Sequence, residues 1–83
     1  MSRLPPFLAL RALEAAARLR SYSRAAEELH GTHGAVSHQI RRLEEEFGIR
    51  LFRREGNAMT PTEPAVKLAA KVAAAIQIGR AHV

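Results

Sequence analysis

The chain has 83 residues, enough for one domain and close to the lower limit for one that folds around its own core. Hydrophobic residues make up 47% but aromatics only 5%, so that core must be assembled from Leu, Ile, Val and Ala. A net charge of +5 favours a polyanionic partner (DNA, RNA or an anionic surface), while the absence of cysteine excludes disulfides and thiolate metal sites.

The opening "MSRLPPFLAL" lacks the long apolar run and cleavage site of a signal peptide. Nor does any apolar run reach the ~20 residues of a membrane span, so a soluble cytoplasmic protein with no membrane partner is expected. A first helix is predicted from the Pro5-Pro6 pair to about Arg20, proline being suited to a first helical turn. Its spacing predicts an inward face of Leu10, Leu13, Ala16 and Ala17, with Leu8 and Leu19 off that stripe.

Ser23 is predicted to cap a short second helix that runs to Leu29 or His30 and turns Ala25, Ala26 and Leu29 inward. Gly31 is predicted to take the left-handed conformation of the turn that follows. Thr32 then caps a third helix, in which Val36, Ile40, Leu43 and Phe47 form one apolar stripe and are predicted core. The other side carries Gly34, Ser37, His38, Arg41, Arg42 and Glu45: small, polar and basic first, acidic afterwards. Glu44, Glu45 and Glu46 are predicted to pair with Arg41 and Arg42.

Gly48 stops this helix. "IRLFRREGNAMTPT" alternates like a strand around a Gly56-Asn57 turn and predicts a short β-hairpin, although Pro61 cannot donate a ladder bond in its second strand. From Glu63 the pattern is helical again, with Ala65, Leu68, Ala69, Val72, Ile76 and Gly79 on one side. Glu63, Lys67 and Lys71 follow at i, i+4 spacing on another, and the tail "RAHV" is predicted to fray.

Two helices joined by "HGT" have the layout of a helix-turn-helix, in which the second helix enters the major groove by its N-terminal end. Short residues at Gly34, Ala35 and Ser37 let the backbone approach a duplex. His33, Ser37, His38 and Gln39 can exchange hydrogen bonds with bases, and Arg41 can reach a phosphate or a guanine edge. Ser23, Arg24, Thr32, Arg42, Arg53 and Arg54 complete the candidate DNA contacts. For isolated arginines a solvated surface is the better reading; with this turn, spacing and net charge, DNA contact is preferred. His33 and His38 are five apart and share no helix face, and adjacent Ser37 and His38 point apart. No metal site, cofactor or catalytic residue is therefore predicted.

"SYSRAAEELHGTHGAVSHQIRRLEEEFGIRLFRR" resembles the DNA-binding region of LysR-type bacterial transcriptional regulators. "RLPPFLALRALEAAARL" further resembles the start of the subgroup that includes glycine-cleavage and β-lactamase regulators. The resemblance implies a mainly helical fold: a winged helix-turn-helix of three helices and a β-hairpin wing over residues 1–62, with the helix-turn-helix at about 22–41. A linker helix over 63–83 would follow and pair two subunits, with Leu68, Ala69, Val72 and Ile76 as the dimerisation stripe. Thr32, His33, Gly34, Ser37, His38 and Arg41 would face DNA, and Arg53 and Arg54 would approach the backbone or minor groove from the wing.

The sequence departs from the family pattern at His33, Gly34, Asn57, Pro61 and Ala65. Such regulators continue into an effector-binding domain that these residues do not contain, so a small-molecule effector is expected only with that domain. The function expected is sequence-specific double-stranded DNA binding. The alternatives are a helical dimerisation or protein-interaction module, or a non-specific nucleic-acid binder.

Overall fold

A computed structural model describes residues 7–80, with side chains described through Ile76. The elements in chain order are α1 (Phe7–Leu19), α2 (Tyr22–Leu29), α3 (His33–Phe47), β1 (Phe52–Glu55), β2 (Ala58–Pro61) and α4 (Glu63–Arg80). The architecture is mainly helical, with one two-stranded antiparallel hairpin. The Pro5-Pro6 start and most of the predicted tail lie outside the described residues.

α1 touches α2, α3, α4 and β2, which explains why its buried face is wider than its leucine spacing suggests. Ala9, Ala12, Leu13, Ala15 and Ala16 are buried, whereas the predicted Leu10 and Ala17 are only partly covered. Alanine on several sides lets neighbouring helices approach closely. Leu8 is exposed and Leu19 half-buried.

The cap of α2 is Ser21, not Ser23. The Ser21 hydroxyl accepts from the Arg24 amide at 3.1 Å, so the helix begins one residue before Ser23, which becomes an exposed helical residue. This earlier start carries Tyr22 into the core beside Ala25 and Ala26, a placement not anticipated from the sequence. The left-handed residue at the other end is His30 (φ 58), not Gly31. With His30 in that conformation, its amide reaches the Glu27 carbonyl and that of Gly31 reaches Ala26, satisfying the carbonyls the helix end leaves open.

α3 keeps its predicted boundaries. Thr32 caps it through a 3.1 Å bond from the Ala35 amide, and Gly48 ends it at φ 68. Val36, Ile40 and Leu43 are buried, each contributing roughly 1.5–3 kcal/mol of transfer free energy. Phe47 is not core: it is 47% exposed. It falls in line with the stripe but on the last residue of the helix. The chain reverses at Gly48 and brings the Leu51 amide back to Glu44 at 2.8 Å, so fully buried Leu51 closes this part of the core instead.

The hairpin pairs Phe52 with Pro61, Arg53 with Thr60, Arg54 with Met59 and Glu55 with Ala58, turning at Gly56 (φ 63). Pro61 is tolerated because it is the last residue of an edge strand, where no ladder amide is needed. The Met59 amide donates to the Arg20 carbonyl, tying the hairpin to the end of α1. Thr62 donates its amide to the Leu51 carbonyl and its hydroxyl to the Arg50 carbonyl at 2.8 Å, which fixes the start of α4 against the hairpin base. α4 then buries Ala65 and Ala69. No described helix is long and apolar enough to cross a membrane.

Candidate nucleic-acid interface

Burying Val36, Ile40 and Leu43 leaves the opposite side of α3 free by helical geometry. Thr32, His33, Gly34, His38, Arg41 and Arg42 are exposed, and Ser37 is half-buried. At Gly34 even an added Cβ would meet nothing within 4 Å, so the helix opening is blunt and unobstructed. Ser23 and Arg24 are exposed on the preceding helix. Gln39 sits apart from this face: it is half-buried, and its Oε1 is enclosed without a hydrogen-bond partner.

The hairpin divides its arginines by the two-residue alternation of a strand. Arg54 turns toward α3 and lines a cavity of about 220 Å³ between helix and wing, together with Arg41, Ser37 and His33. Arg53, one residue away, is exposed on the other face of the ribbon beside Thr60. The two predicted wing arginines therefore do not act at one point. Tyr22 and Arg50, neither of them a sequence candidate, line the same cavity, as do Glu44, Phe52 and Met59.

Glu44 does not pair with Arg41 or Arg42. Its Oε2 accepts from the Leu51 and Phe52 amides at 2.8 and 3.4 Å, so this carboxylate holds the wing onto α3. Among the described residues the ion pairs are Arg18 with Glu14 and Glu28, and Lys67 with Glu63. Hydrogen bonds to Glu14 and then Glu28 hold the Arg18 guanidinium well above its ordinary pKa. Among the described residues no carboxylate forms an ion pair with Arg41, Arg50 or Arg54.

The Tyr22 ring lies 5.7 Å from that of His33 and 5.5 Å, edge-on, from that of Phe52. Burial, followed by the Glu44 charge, pushes its phenol up to about 12, against the opposing pull of Arg41 and Arg54. On α4, Ala69 is buried within the chain, while Leu68, Val72 and Ile76 are half-buried on the same side. Among the described residues no three His, Asp or Glu side chains gather as metal ligands.

Residues 7–66 match the family described as bacterial regulatory helix-turn-helix protein, lysR family. The chain is 58% identical over 69 residues to the HTH-type transcriptional regulator TrpI of Pseudomonas aeruginosa, covering 82% of this chain and 23% of that protein. It is 56% identical over 61 residues to the glycine cleavage system transcriptional activator of Escherichia coli, covering 74% of this chain and 20% of that one. It thus spans less than a quarter of these relatives. The fold is also that of the solved BenM_DBD/catB site 1 DNA complex, with a TM-score of 0.84 at 24% identity over 94% of this chain and 87% of the other.

Proposed function

This chain belongs to the lysR family of bacterial regulatory helix-turn-helix proteins, and from that premise we propose that it binds double-stranded DNA sequence-specifically as part of a transcriptional regulator. The observation that carries this reading is the free N-terminal half of α3, small and polar, beside a wing whose arginines form no ion pair among the described residues. Ser37 and His38 read base edges, Arg41 reaches phosphate or guanine, and the helix N-terminus adds its own attraction for phosphate. Thr32, His33 and Gly34 make the closest approach, while Ser23, Arg24, Arg42 and Arg53 add contacts at the rim. Binding, not chemistry, is the activity.

The unit that binds DNA is residues 1–62, with 63–83 as a linker that joins two copies. Leu68, Val72 and Ile76 carry this self-pairing, because each keeps accessible surface while Ala69 is already covered within the chain. Two such units meet successive half-sites of a pseudo-palindrome. The regulator works in the cytoplasm, and a small-molecule effector acts where an effector-binding domain accompanies this one.

A salt series on a duplex enriched from a random pool, with a scrambled duplex beside it, tests the reading. Specific recognition gives a steep salt dependence and a preference of about 10³-fold or more for the enriched duplex. Equal affinity for both duplexes would leave a non-specific binder. No duplex binding, with partner binding abolished by truncation at Glu63, would leave the interaction module.

A further inference from the structure

The cavity between α3 and the wing concentrates unpaired positive charge. Arg41, Arg50 and Arg54 converge on it, and no described carboxylate forms an ion pair with any of them. This contrasts with Arg18, which is held by two glutamates. Three like charges around one small space repel each other, and an anion placed among them removes that penalty. Two hydroxyls supply neutral donors at the same place. Ser37 borders the cavity from the recognition helix, and Tyr22, only 9% exposed, borders it from α2 with no described partner for its hydroxyl. Glu44, the one acidic group among the described residues lining it, already accepts two backbone amides, which offsets part of its charge.

We propose that this cavity is an oxyanion seat that takes one backbone phosphate of the bound duplex, with Arg50 and the Tyr22 hydroxyl as binding residues alongside Arg41 and Arg54. The proposal rests on the DNA-binding reading and deepens it. The seat lies between the helix that reads bases and the wing beside it, so an occupied seat fixes the register of α3 in the groove. A volume of about 220 Å³ admits a tetrahedral phosphate group but no stacked base pair. Strand alternation puts Phe52 and Arg54 on the face from which Arg53 is excluded, and Arg50 lines the cavity from the loop before β1.

Tyr22 is the only tyrosine and the chain has no tryptophan, so its emission reports on this cavity. The 83-residue chain is titrated with the enriched and scrambled duplexes, and separately with inorganic phosphate at constant ionic strength. Duplex should alter the Tyr22 emission. Arg50→Gln should weaken both duplexes alike by about tenfold and lower the salt slope by about one, as loss of one charged phosphate contact requires. Tyr22→Phe, which keeps the packed ring, should weaken both several-fold with the slope unchanged. Arg11→Gln, at an exposed position of α1, is the control for net charge. A response to free phosphate that Arg50→Gln abolishes supports the oxyanion chemistry independently of DNA. If Arg50→Gln and Tyr22→Phe bind duplex with wild-type affinity and slope, the seat is refuted, whether or not free phosphate occupies it. If both variants weaken binding as stated but wild type does not prefer the enriched duplex, the seat stands and the sequence-specific reading falls. If wild type binds no duplex, both fall.

Discussion

Ser37 and Tyr22 show how position decides what a hydroxyl does. Ser37 stands half-buried on the free side of α3, where, on the proposed reading, its loss removes a base contact and no core packing. Ser37→Ala is therefore expected to cost about 1–3 kcal/mol of discrimination between enriched and scrambled duplexes, with the melting temperature unchanged. Competition binding and thermal denaturation check the two halves of that statement. Tyr22 is enclosed, and its phenol is pushed up to about 12, chiefly by burial. Its proton is held more tightly in the folded state than in the unfolded chain. The corresponding stability is therefore complete below pH 10 and declines as pH rises from about 10 through 12. Absorbance near 295 nm follows this single tyrosine. Arg54→Gln should move its titration upward and Glu44→Gln downward, because the arginine favours the phenolate and the glutamate opposes it. An unshifted titration in both variants would contradict the placement of Tyr22 between them.

At the scale of elements, the wing is held by few bonds, so each matters. Glu44 accepts the Leu51 and Phe52 amides, Thr62 bonds the Arg50 and Leu51 carbonyls, and Met59 bonds Arg20. Glu44→Ala leaves partly buried amides without an acceptor and is expected to destabilise the fold by about 1–3 kcal/mol. Amide exchange should show β1 and β2 losing protection before α1 does. Features fixed by neighbouring residues were legible in the sequence: the Thr32 cap, the Gly48 stop, the Gly56 turn and the buried trio of α3. Where two adjacent residues could serve, local pattern did not choose between them, as with Ser21 over Ser23 and His30 over Gly31. Phe47 satisfied the period and missed the core because periodicity does not say how far the packed body extends. Tyr22 and Arg50 were not sequence candidates because tertiary packing alone brings the start of α2 and the loop before β1 beside α3. A signal did exist in the two-residue spacing of Arg50, Phe52 and Arg54, and in Tyr22 standing three, four and seven residues before Ala25, Ala26 and Leu29.

For the molecule as a whole, the net charge of +5 is distributed with purpose. Acidic groups on α1 and α2 neutralise Arg18, and Glu63 pairs with Lys67, while among the described residues no carboxylate forms an ion pair with the arginines between α3 and the wing. If the half-buried stripe of Leu68, Val72 and Ile76 pairs two copies as proposed, Val72→Asp together with Ile76→Asp should shift the chain toward monomer in sedimentation. Affinity for a full pseudo-palindrome should then fall toward that for a half-site. An unchanged oligomeric state would remove self-pairing from this helix. The central claim, that the free opening of α3 enters the duplex, is tested most directly by amide chemical shifts recorded while the enriched duplex is added. The largest changes should fall on Thr32–Arg41 and on 50–54, with those of α1 small; changes concentrated on α1 or α4, with Gly34, Ser37 and His38 unmoved, would contradict it.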